Sequence, residues 1–101
     1  MATATVLLAP AGSGFDFLVS KDPVAVSRRL ASEDAYTRLG HFETPFTGKD
    51  AAEEMFDLSN NPGREDERAE RWGLNRSLSV GDVVVVDAES FLCLSVGWKA
   101  L

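Results

Sequence analysis

A chain of 101 residues, 45% of them hydrophobic, is the size of one domain and can bury roughly 60–70% of the surface its unfolded form exposes, so it needs no second domain to build a core. Ten basic against sixteen acidic side chains leave a formal charge of −6, which argues against a broad electropositive face for duplex nucleic acid. The single cysteine, Cys93, excludes an internal disulfide and a thiolate metal cluster within one chain.

In chain order, Thr3 to Ala9 alternates weakly and carries β-branched residues, which predicts a first strand. Pro10-Ala11-Gly12-Ser13-Gly14 then breaks regular structure into a loop. The N-terminus has no basic segment, and its apolar stretch is too short for a signal peptide or membrane span; the expectation is a soluble, cytoplasmic protein. Asp22-Pro23 is a helix start, Asp as cap and Pro at the first helical position, and Val26 with Leu30 one turn apart predict a first helix to about Ala35. Tyr36 to Glu43 alternates and ends before Pro45, which predicts a second strand.

Thr47-Gly48-Lys49-Asp50 opens a second helix with capping-box-like spacing. Ala51, Ala52, Met55, Phe56 and Ser59 mark its inner face, and Lys49, Glu53, Glu54 and Asp57 its outer one. Asn60-Asn61-Pro62-Gly63 ends it. Arg64 to Arg71 mixes charges around only Ala69 as an apolar side chain and reads as a solvated helical turn or a mobile loop. The last quarter reads as a β-hairpin. Its two β-rich runs, in Arg76 to Val86 and in Phe91 to Leu101, flank a four-residue connection, Asp87-Ala88-Glu89-Ser90, whose Asp suits the first position of a type I turn. The valines form an unbroken apolar run, so that strand needs cover on both faces, from helices or from a dimer partner.

The predicted fold is α+β, a small single domain in the order β-α-β-α-loop-β-β, with two helices packed on a sheet of about four strands ending in the hairpin. Cys93, in the alternation Phe91, Cys93, Ser95, reads as a small buried side chain. The densest polar cluster is Arg76-Ser77-Leu78-Ser79-Val80-Gly81-Asp82. As a site it would be a binding rim with Arg76 as anion anchor. As structure, Ser77 and Ser79 satisfy backbone groups, Gly81 takes a conformation other residues resist, and Asp82 accepts backbone N–H bonds. A triad of Ser77 or Ser79 with His41 and Asp82 lacks a nucleophile elbow, and His41 has no companion at metal-ligand spacing. Trp98, beside Gly97, reads as a core plug or sheet-edge cover or else as a contact residue, and Trp72, after a charged segment, as either core or contact residue.

Arg76 to Trp98, with R-S-L-S-V-G-D-V-V and a strand ending in G-W, resembles the C-terminal signature of the YodL-like domains and of small actinobacterial and phage proteins with the same ending. Asn61, Trp72, Arg76, Ser77, Ser79, Val80, Gly81, Asp82 and Trp98 occupy the positions of that pattern, and the helix from Ala51 to Asn61 is similar to the family's helix. YodL-like domains read S-V-S-D-V where this chain has Ser79-Val80-Gly81-Asp82-Val83, which places the likeness nearer the actinobacterial and phage branch. The resemblance implies a mobile-element setting with no agreed activity. The expectation is a non-enzymatic accessory protein that binds a protein partner in the bacterial cytoplasm, the partner being a host protein or a second copy in a homodimer. Its candidate contact residues are Trp72, Arg76, Ser77, Ser79, Asp82 and Trp98, with no cofactor, metal, duplex nucleic acid or membrane. The alternatives are a small-ligand or nucleotide-handling domain, an enzyme among them, with a site around Arg76 to Asp82, and an acidic nucleic-acid mimic.

Overall fold

Strand β1 (Ala2–Leu8) alternates inward and outward, and its inward side chains Ala2, Ala4 and Val6 are small. In the computed structural model, which describes residues 1–101, those alanines lie under helix α3 (Gly48–Asn60), whose Ala51 and Ala52 are also fully enclosed. Small residues on both sides let helix and sheet approach closely. Met55, Leu58, Val84, Val86, Phe91 and Trp98 fill the rest of this face. Leu58 takes the core place expected of Phe56, which is 37% exposed. At the start of α3 Thr47 stands as cap, but its side chain makes no capping bond.

The sheet has the order β2-β1-β3-β4-β5 and every pairing is antiparallel, with β2 at Thr37–Thr44, β3 at Val83–Val86, β4 at Glu89–Cys93 and β5 at Trp98–Ala100. β1 is paired on both sides. A bulge in β2, between the Val6–Gly40 and Leu7–Arg38 pairs, leaves Leu39 as the extra residue on that edge strand. Helices α1 (Ser13–Val19) and α2 (Pro23–Ser32) cover the other face, where Phe17 and Leu30 pack with Val83 and Leu92. The valine run is therefore enclosed by helices on both faces, each fully buried valine contributing about 1.5–3 kcal/mol.

The α+β class and the terminal hairpin agree with the expectation, while the elements are more numerous: four α-helices and five strands. α1 begins inside the Pro10 to Gly14 stretch expected as a loop, because Gly12 at φ +86 turns the chain and Ser13 donates from Oγ to the Pro10 carbonyl at 2.6 Å. Pro62–Arg64 is a 3₁₀ turn that leads into helix α4 (Glu65–Arg71). The expected alternative of a mobile loop is replaced there by a helix, for a reason outside the segment. Arg64 pairs with Asp57 at 2.9 Å and with Glu54, both on α3, and with Glu67 at 2.8 Å, while Glu67 also pairs with Arg71 at 3.0 Å. Asn61, one of the residues expected to end α3, does so in an extended conformation at φ −75 and accepts from the Gly63 N–H. The hairpin connection is also tighter than the expected four residues. Val86 pairs with Glu89, so Asp87 and Ala88 alone make the turn, with Asp87 at φ +53. What reads as one last strand is two, folded at Leu94 to Gly97 so that Cys93 faces Trp98. No helix is long and apolar enough to cross a membrane.

Candidate functional site

The segment Arg76 to Asp82 joins the C-terminal end of α3, the end of β1 and the start of β3. Asp82 is wholly buried. Its Oδ1 accepts from Arg76 and from the Ala9 N–H, both at 2.7 Å, and its Oδ2 from Arg76 at 2.7 Å and the Ser79 N–H at 2.9 Å. A buried carboxylate is tolerable only with such partners, and this one has four charge-assisted or backbone donors. The Arg76 guanidinium, bridging to the carbonyls of Ala9 (2.9 Å) and Ser77 (3.1 Å) and to the Ser79 hydroxyl (3.3 Å), is held still more firmly protonated by Asp82. Both of its terminal nitrogens are engaged within the chain. The expected anion anchor is thus a clasp between β1 and β3.

Ser77 and its neighbours tie down the end of α3, whose last carbonyls have no partner within the helix. The Ser77 hydroxyl donates to the Ser59 carbonyl at 2.6 Å, the Leu78 N–H to Ser59 Oγ at 3.1 Å, and the Asn60 amide to the Leu78 carbonyl at 3.1 Å. Leu78 itself is a core residue. Gly81 sits at φ +95 against the Phe17 ring, and its carbonyl accepts from the Tyr36 hydroxyl at 2.8 Å. Burial pushes the Tyr36 phenol above its usual pKa, its bond with Ser27 at 2.9 Å opposes the shift, and the Asp82 charge adds to it.

Trp72 is buried, stacks on Phe42 with ring centroids 5.3 Å apart, and donates from its indole N–H to the Arg76 carbonyl at 2.9 Å. Trp98 is buried edge-on to Phe56 at 6.4 Å. Both indoles are core members. Four of the six candidate contact residues, Arg76, Ser77, Ser79 and Asp82, converge on one clasp, while Trp72 joins it only through a backbone bond and Trp98 lies elsewhere. His41, on the edge strand β2, bonds Thr5 of β1 at 2.9 Å and Arg38 of its own strand, whereas Asp82 bonds Ala9 beyond the end of β1. Cys93 is buried, and its thiol is pushed up to about 12 by that burial, with the Asp82 and Glu53 charges adding to it. Beside the clasp, Ala9 to Phe15 with Arg76, Ser79 and Val80 line an open depression of about 430 Å³.

The surface residues that stand out were not among the sequence candidates. On α1, Phe15, Leu18 and Val19 are 70%, 63% and 61% exposed. Their spacing of i, i+3, i+4 places them on one side of the helix, opposite the buried Phe17. That spacing is visible in the sequence, but Gly12 and Gly14 obscure the helix that gives it meaning. Comparison with protein-family models, with curated proteins and with solved structures finds no match for this chain.

Proposed function

We propose that this is a small accessory module that binds a protein partner through the exposed stripe of α1. The observation that carries this reading is the exposure of Phe15, Leu18 and Val19 on a helix whose inner side chain, Phe17, is already buried. Large apolar side chains grouped on one exposed side lose contact with water when a partner covers them, and aromatic anchors contribute most to such interfaces. The setting, a phage or mobile-element protein acting in the bacterial cytoplasm without catalysis of its own, is supported by the likeness of Arg76 to Trp98 to YodL-like domains. The contact surface borders the Arg76 to Asp82 clasp at Phe15, which lines the same depression as Arg76 and Ser79, while the clasp's own polar groups are engaged in holding the fold.

The test compares the wild-type chain with a Phe15→Ser, Leu18→Ser double variant in affinity capture from an actinobacterial lysate, with melting temperature and sedimentation measured on both. The wild type is expected to enrich a protein that the variant does not, at equal thermal stability, or to sediment as a dimer that the variant abolishes. Equal enrichment by both proteins, or recovery of a small metabolite with no protein above control, would overturn the reading.

A further inference from the structure

The outer side of α3 carries a second surface, on the opposite face of the sheet from α1. Phe46, Asp50, Glu53, Glu54 and Asp57 line an open depression of about 340 Å³. Glu53 also borders a more enclosed notch of about 200 Å³ between α3 and the β4–β5 turn, lined by Phe56, Cys93, Leu94 and Trp98. The notch is smaller than the roughly 300–1,000 Å³ of sites that enclose a small molecule, and suits a single aliphatic side chain. Phe46, at 46% exposure, adds apolar surface to the first depression and Phe56, at 37%, to the notch.

Charge decides the occupant. Arg64 pairs with Glu54 and Asp57, but Asp50 and Glu53 take part in no ion pair, nor does Lys49, the one cation on the outer side of this helix. Two free carboxylates beside an aromatic notch, on a chain of net charge −6, complement a cationic segment and repel an anionic one. The geometry points to a docking groove for a basic peptide segment of a partner protein, with one aliphatic side chain seated against Phe56 and Trp98 and flanking lysines or arginines beside Asp50 and Glu53. This surface does not depend on the α1 reading.

The experiment is a ¹H–¹⁵N titration with three amidated, acetylated pentapeptides, Lys-Lys-Leu-Lys-Lys, Lys-Lys-Ser-Lys-Lys and Glu-Glu-Leu-Glu-Glu. The first is expected to shift the Trp98 indole N–H and the amides of Glu53, Phe56 and Leu94 to Gly97 saturably, with a dissociation constant of about 0.1–1 mM for so short a probe. The serine peptide is expected to bind about tenfold more weakly through loss of the apolar anchor. The acidic peptide is expected to leave the spectrum unchanged. Asp50→Asn with Glu53→Gln, checked for unchanged melting, is expected to weaken the leucine peptide about fivefold, and 0.5 M salt should weaken it on the wild-type chain. Phe15→Ser with Leu18→Ser should leave this titration intact, which separates the groove from the α1 stripe. No shifts with the leucine peptide, equal binding of all three peptides or of the two lysine peptides, or shifts confined to α1 would each overturn the proposal.

Discussion

Gly81 is where a single atom matters most. A Cβ there would stand 2.4 Å from Cδ2 and Cε2 of Phe17, and φ is +95, where L side chains are strained. Gly81→Val is expected to cost about 2–5 kcal/mol in urea unfolding, from about 1–2 for the left-handed backbone and about 1–3 for overpacking. Adding Phe17→Leu should return only the packing part; full recovery would remove the backbone argument, and an unchanged midpoint for the single variant would remove both. That Gly81 needs an unusual backbone is readable from Gly-Asp before a valine strand. Its partner is not, since Phe17 lies 64 positions earlier on a helix that the surrounding glycines conceal. Asp82 shows the same division. Its role as acceptor of backbone N–H bonds is legible in sequence, whereas the Ala9 N–H and the paired Arg76 emerge only when β1 and β3 are side by side.

At the scale of elements, α4 is helical because of residues it does not contain. Alternating charges around one alanine supply too little burial to order seven residues, and the compensation comes from Glu54 and Asp57 of α3 acting through Arg64. Bonds from Arg64, and then from Arg71, hold the Glu67 carboxyl below its ordinary range. A carboxyl whose folded value is depressed stabilises the fold above the unfolded glutamate pKa of about 4.3, and that contribution is lost as pH falls through the folded value. α4 is therefore expected to loosen in acid before the sheet does, its amides gaining hydrogen exchange below about pH 4 while those of β3 stay protected. Arg64→Gln should reproduce the loosening at neutral pH; protection of α4 equal to that of β3 in both cases would show that the network does not hold the helix. The end of α3 was easier to read, because Pro62 and Gly63 stop a helix whatever surrounds them.

For the whole molecule, the clearest sequence signal was the four consecutive valines, which demand cover on both faces and receive it from α3 on one side and α1 with α2 on the other. Strand order was beyond reach, since pairing β1 with β3 joins residues 76 to 82 positions apart and no local pattern encodes it. That pairing has a consequence for the order in which the protein is made. β1 is synthesised before β3, and one of its two edges stays bare until Val83 to Val86 have followed it out of the ribosome. With translation at about 5–20 residues per second, the nascent protein spends seconds with an open, apolar strand edge that can template pairing with a neighbour. Chains stopped at Gly81 are therefore expected to be recovered aggregated or held by chaperones, and a soluble, monomeric product of that length would show that β1 is protected in some other way until its partner is synthesised.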